Sequence, residues 1–206
     1  MSQTIRNIGG VQSATSINPA ATALVLIDFQ NEYYGGRLPI HDGLSALRNA
    51  ARLAAWADRH AIPVFHIRHI GAAGGPLFAA GGEMAEIHSG LAPAPHHRVL
   101  DKSTVSSFAS TDLHAQLQAL GVRTLVVAGL MTHMCVSNAV RDARHFGADS
   151  YDVLVAGDAC ATRDIDGWDG GIVSHEVLHR AALTALSDNF ADVLRTDAIL
   201  DLPVGE

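Results

Sequence analysis

Three residues of unlike chemistry stand at comparable places in the sequence. Asp28 directly follows the apolar run Ala23 to Ile27, Lys102 follows Arg98-Val99-Leu100-Asp101, and Cys135 lies just beyond Thr124-Leu125-Val126-Val127-Ala128. A carboxylate near a thiol can take its proton. A lysine near both can keep the acid ionised and stabilise the thiolate. Read singly, each has a plainer use. Cys135 fits a small buried hydrophobe, Asp28 a turn or cap residue, and Lys102 a solvated cation. Read together they make a nucleophile, a base and an orienting charge. Cys135 is expected at the start of a helix, where partial positive charge and free N–H groups would lower its pKa.

The surrounding elements must bring the three to one place. Ala23 to Ile27 and Thr124 to Ala128 are continuous apolar runs, the pattern of parallel strands covered on both faces. Pro63 to Ile67, Arg98 to Asp101, Asp152 to Val155 and Ala191 to Leu194 read as further strands. Between them fall helical periodicities. Asp42 can cap a helix with Leu44, Leu47, Ala51 and Ala54 on one face. Thr111 or Asp112 can cap a second, bearing Leu113, Leu117 and Leu120 and stopped by Gly121. A third carries Val136, Ala139, Val140 and Ala143 inward. Ser174 can cap the last, with Val177, Leu178, Ala181, Ala182, Ala185 and Leu186. This alternation predicts an α/β fold, a mainly parallel sheet of about six strands sandwiched between helices. Ligands of such sheets bind beyond the carboxyl ends of the strands, where Asp28, Lys102 and Cys135 stand.

The chain has 206 residues, 48% hydrophobic and 17% charged, with a mean hydropathy of +0.17. This suits one domain over residues 21–206, preceded by a polar arm (residues 1–20) lying free or against a neighbouring subunit. The formal net charge is −7. With no Lys/Arg-rich run, neither a nucleic acid nor an anionic membrane is an expected partner. Two cysteines, no secretory pattern and no membrane-length apolar run point to a cytoplasmic protein with reduced thiols. The 12 histidines read as surface or core residues.

The stretches Leu26-Ile27-Asp28-Phe29-Gln30-Asn31-Glu32-Tyr33, Asp101-Lys102-Ser103 to Ser107-Phe108, and Gly129-Leu130-Met131-Thr132-His133-Met134-Cys135-Val136 resemble the signature segments of the isochorismatase-like hydrolases. The resemblance runs from about residue 21 to the C-terminus and includes Gly157 to Thr162. Its most specific part is Gly-x-x-Thr-x-x-Cys-Val. It implies a Rossmann-like fold of about six parallel strands, with Asp28 as base, Lys102 as cationic partner and Cys135 as nucleophile. It also implies a cis Leu130–Met131 peptide, turning the Met131 N–H inward beside that of Cys135 as an oxyanion hole. Dimers or tetramers are common in the family, so a homodimer or homotetramer is expected.

Within that family the chain resembles the cysteine-bearing branch. Nicotinamidases carry a metal site with an Asp-x-His pattern after the second strand. Here that region reads His66-Ile67-Arg68-His69-Ile70-Gly71, without aspartate. His66 and His69 would face opposite ways on a strand, and His96-His97 reads as solvated. No catalytic metal and no cofactor are expected. True isochorismatases, which cleave a vinyl ether, resemble the family with glycine in the cysteine position. Cys135 therefore favours C–N hydrolysis of a small amide, ureido or N-carbamoyl compound.

Gln30, Tyr33, Phe108 and His133 are the candidate substrate contacts, with Gln30 able to bond the pocket loops. Residues 71–95 form a long Gly/Pro/Ala-rich loop, and the part around Pro76-Leu77-Phe78 is expected to set specificity. Arg163 could meet an anionic substrate or pair with Asp158 or Asp164. Two other classes remain. A thiol-redox protein would exchange a Cys135–Cys160 disulfide, although no C-x-x-C motif is present. A catalytically idle binding module would not need all three groups.

Overall fold

The computed structural model describes residues 3–205. The strands are β1 (Thr22–Ile27), β2 (Val64–His69), β3 (Arg98–Lys102), β4 (Thr124–Leu130), β5 (Asp152–Ala161), β6 (Ile165–Asp166), β7 (Ile172–Val173) and β8 (Asp192–Leu194). The helices are α1 (Ile5–Ile8), α2 (Gly43–Arg59), α3 (Leu113–Ala119), α4 (Ser137–Asp142), α5 (His175–Asn189) and α6 (Thr196–Leu200). Six strands form one sheet in the order β3-β2-β1-β4-β5-β8, and every pairing is parallel. β6 and β7 make a separate antiparallel hairpin.

The apolar runs explain the layering. In β1 all six residues are buried, and alternate side chains enter different cores. Leu24 and Leu26 pack with Leu47, Leu53, Trp56 and Ile199 from α2 and α6. Ala23, Val25 and Ile27 pack with Leu113, Leu117, Val140 and Leu186 from α3, α4 and α5. The sheet is the middle of three layers, as the strand and helix alternation predicts. β1 and β4 approach closely at the site end. A Cβ on Gly129 would meet the Ile27 Cβ and carbonyl oxygen at 2.6 Å, so only glycine fits there.

Several local expectations need correction. Leu44 is exposed, and the buried face of α2 is instead Ala46, Leu47, Ala50, Leu53, Trp56 and Ala57. Val177 is exposed, and only Leu186 of α5 is fully buried, because this helix covers the sheet near its edge strand. The cap of α3 is divided: Asp112 holds the position, but Thr111 Oγ1 accepts the Leu113 N–H. The arm is not free. α1 folds back on its own chain, where Asp188 accepts the Ile5 N–H and Asp192 pairs with Arg6 at 2.8 Å and accepts the Ala14 N–H. Acids at the end of α5 and the start of β8 give the polar arm a local anchor. Among the described residues no helix is long and apolar enough to cross a membrane.

Candidate active site

Five adjacent strands each deliver a residue to the same rim. Across the sheet these are Lys102 (end of β3), His69 (end of β2), Asp28 (after β1), Met131 (after β4) and Arg163 (after β5). The chain leaves β1 sharply, with Asp28 at φ 55°, a conformation Asp tolerates better than most L-residues. The Leu130–Met131 peptide is cis. Thr132 to Val136 then form a turn of π-helix, and Cys135 lies within it rather than in the first turn of α4. Two bonds hold this turn: Thr132 Oγ1 to His179 Nδ1 at 2.8 Å, and His133 Nδ1 to Thr162 Oγ1 at 2.7 Å.

Lys102 reaches from β3 across β2. Its Nζ lies 2.9 Å from Asp28 Oδ2 and 3.3 Å from Cys135 Sγ. It also donates to the Thr104 carbonyl at 3.1 Å and meets His69 Nδ1 at 3.2 Å. The Asp28 and Lys102 side chains are wholly buried. The structure thus brings together the acid, the ammonium and the thiol.

The acid–base state differs from the expectation. Burial pushes the Cys135 thiol up to about 12, the Asp28 charge adds to this, and Lys102 only partly opposes it. The helix-terminus argument failed because Cys135 sits inside the π-turn, beside a carboxylate and away from water. Burial also raises Asp28, with the Lys102 charge pulling the other way. Cys135 therefore rests as the thiol. The rise in Asp28 makes it a stronger base toward a reluctant acid.

A cleft of about 270 Å³ opens onto these groups. Tyr33, Leu38, Leu77, Phe78 and Val105 give it an apolar wall, and Met131, Met134, His69 and Arg163 complete it beside Asp28 and Cys135. Phe78 is held at φ 48°, and its ring meets those of Tyr33 and His69 at 5.3 Å each. The buried Glu32 supports this wall, accepting the Arg37 N–H at 2.5 Å and the Phe78 N–H at 3.4 Å. Loop 71–79 closes tightly, since a Cβ on Gly71 would meet the Leu77 carbonyl oxygen at 2.5 Å.

Of the expected substrate contacts, Tyr33 lines the cleft and three residues do not. Gln30 is fully buried: its Nε2 donates to the His69 and Ala85 carbonyls and its Oε1 accepts the His69 N–H. It ties loops together, as the bonding role alone predicts. Phe108 turns away to pack on Phe146 and Tyr151, with centroids at 5.2 and 6.2 Å. His133 points to Thr162, and Met134 takes the wall position. His69 was read as a structural or surface residue, yet it lines the cleft. Extending β2 by two residues puts it in register with Lys102. His66 lies elsewhere, bonded to His97 at 3.1 Å. The His97 side chain is only 4% exposed, with its Nε2 2.9 Å from Asp58, whereas His96 is solvated as expected. Among the described residues Arg163 pairs with neither Asp158 nor Asp164. Its Nη1 donates to the Asp164 carbonyl, and its buried Nε has no partner. Cys135 and Cys160 are both free thiols.

Comparison with known proteins agrees with this picture. Residues 22–198 match the isochorismatase domain model. The chain is 38% identical over 181 residues to the uncharacterized isochorismatase family protein YddQ of Bacillus subtilis, covering 87% of this chain and 98% of that one. An isochorismatase from Pseudomonas putida superposes with a TM-score of 0.89 at 33% identity, over 97% of this chain and 100% of that one. N-carbamoylsarcosine amidase from Thermoplasma acidophilum superposes with a TM-score of 0.72 at 26% identity, over 85% and 96%. By fold, by sequence and by the cysteine at the rim of its sheet, this chain belongs to the isochorismatase-like cysteine hydrolase superfamily.

Proposed function

We propose that the chain is a metal-independent cysteine hydrolase that opens a C–N bond of a small amide, ureido or N-carbamoyl compound through a thioester. One observation carries this reading: Lys102 Nζ stands within 3.3 Å of both the Asp28 carboxylate and the Cys135 sulfur, at the floor of an open cleft. As the sulfur attacks the carbonyl carbon, its proton passes to Asp28. The sulfur needs no prior ionisation, which its high pKa opposes. The carbonyl oxygen, now negative, takes donors from the Met131 and Cys135 N–H groups. Collapse breaks the C–N bond, and Asp28 returns the proton to the departing nitrogen. Asp28 then deprotonates a water that attacks the thioester, and the released proton restores the thiol.

The small, mostly apolar cleft favours a small substrate. Arg163, without a carboxylate partner among the described residues, favours one with an anionic end. The likeness to N-carbamoylsarcosine amidase supports the same class. A vinyl-ether substrate is the second reading, but a thiol placed for acyl transfer is of no use to it. The test is a screen of small amides, ureido acids and N-carbamoyl acids for ammonia release, with and without a chelator. Release that survives chelation, is fastest with acids and vanishes in Cys135→Ala is expected. Equal release by Cys135→Ala would reject the reading.

A further inference from the structure

Asp58 stands in the last turn of α2, at the negative end of the helix dipole, where an acid is disfavoured and a cation favoured. Two histidines meet it there. Its Oδ1 lies 2.9 Å from His96 Nε2 and 2.9 Å from His97 Nε2. The two rings are nearly perpendicular, at 76°, so their in-plane nitrogen lone pairs can aim at one point between them. The backbone prepares this arrangement. The His97 N–H donates to the Ala94 carbonyl at 2.9 Å, closing a tight turn with Pro95 at its second place. The His97 side chain is 4% exposed and that of His96 is 68% exposed, so one side of the cluster is walled and the other opens to water.

We propose that Asp58, His96 and His97 form a binding site for a zinc-class divalent cation, a clamp between the end of α2 and the turn before β3. Two imidazole nitrogens and a carboxylate oxygen are a donor set that zinc takes readily, with water as the fourth ligand. Magnesium and calcium prefer oxygen alone. A neutral ring that gives Nε2 to a metal carries its proton on Nδ1, so each ring changes tautomer and no proton is lost. The Nδ1–H of His97 then needs an acceptor, and the buried His66 offers Nε2 at 3.1 Å. Such support from behind fixes the orientation of a metal-bound ring. The Ala94 N–H, which meets His97 Nδ1 at 3.2 Å, gives up that contact. His96, largely exposed, can donate its own Nδ1–H to water.

A second cluster shows what the geometry requires. His41, Asp164 and His175 also offer ligand atoms within 4.8 Å of one another. There the two rings are stacked at 4.3 Å and 15°, and parallel rings cannot both aim in-plane lone pairs at one ion. Asp164 is also occupied, accepting the His175 N–H at 2.6 Å and meeting the His175 Nδ1 at 2.7 Å. The Asp58 cluster is remote from the chemistry. β3 runs from Arg98, next to His97, to Lys102 at the rim. The cation therefore lies at the opposite end of the sheet from Cys135 and takes no part in the reaction, so the site stands apart from the cysteine-hydrolase reading.

The test is isothermal titration of zinc chloride into Cys135→Ala, which lacks the thiol that could compete for the ion. Saturable binding is expected. In the same background His96→Gln and Asp58→Asn should each weaken it at least about tenfold, while His41→Gln should leave it within about twofold. His96 is exposed, so its replacement does not threaten folding. Zinc should also raise the urea midpoint of Cys135→Ala and not that of the His96→Gln double variant. Ring ¹⁵N spectra supply a local readout: zinc should convert His97 to the Nδ1–H tautomer, and a cation held elsewhere would leave that ring unchanged. Absence of saturable binding, or equal affinity in His96→Gln and Asp58→Asn, would overturn the proposal. So would binding that His41→Gln abolishes, since the ion would then sit at the other cluster.

Discussion

Two charged pairings stand one rung apart on the same two strands. Arg68 is in register with Asp101, and His69 with Lys102. Arg68 makes the first pairing complete: its Nε and Nη2 reach the two Asp101 oxygens at 2.8 and 2.9 Å, and its Nη1 reaches Glu86 at 2.8 Å. Both acids are half-exposed. The second pairing is buried, for Lys102 and Asp28 are wholly enclosed with Nζ 2.9 Å from Oδ2. Successive strand residues face opposite ways, so a shift of one residue separates a solvated clamp from a buried acid–base set. The first arrangement uses its hydrogen bonds to hold loops. The second sets an amine between a carboxylate and a sulfur at the cleft.

The sharpest way to break this contrast is to delete one acid from each. Asp28→Ala leaves a buried ammonium unpaired. It should cost about 3–5 kcal/mol of stability by urea unfolding and lower turnover at least about 10²-fold. Asp101→Ala should cost only about 0–1 kcal/mol, because exposed pairs are screened, and should leave turnover unchanged. Similar losses in the two variants would remove the distinction.

A smaller effect involves the third polar pairing of β2. His66 lies on the opposite face from His69 and is bonded to His97. Burial lowers its pKa from the ordinary 6.5 to about 4. The folded state therefore binds this proton less tightly than the unfolded chain. Its contribution to stability is present above pH 6.5 and is lost as pH falls from 6.5 through about 4. Urea midpoints of His66→Gln should decline less across that window than those of the parent. An equal decline would mean that His66 does not titrate there.

The strands and the rim were legible because continuous apolar runs mark buried parallel strands, whereas the strand order came only with the structure. Asp28, Lys102 and Cys135 stood out since each interrupts or follows such a run. The cleft wall was less legible. Phe108 is close to Lys102 in sequence, but the turn after β3 sends it toward Phe146, and nearness along the chain does not fix direction. His133 and Met134 differ by one place, and the π-turn decides which faces the cleft. The direction of the Cys135 shift was misread because a local rule about helix ends was outweighed by long-range burial and the Asp28 charge. The place of His69 in the cleft was missed because β2 runs two residues further than its apolar pattern predicts.

The central claim is that the sulfur of Cys135 becomes covalently joined to the acyl part of the substrate. It is tested most directly by acid-quenching the enzyme during turnover and measuring its intact mass, then locating any adduct by peptide mapping. A mass increase equal to the acyl group, confined to the Cys135 peptide and absent from Cys135→Ala, is the predicted result. Turnover with Cys135 unmodified at every time point would contradict the account.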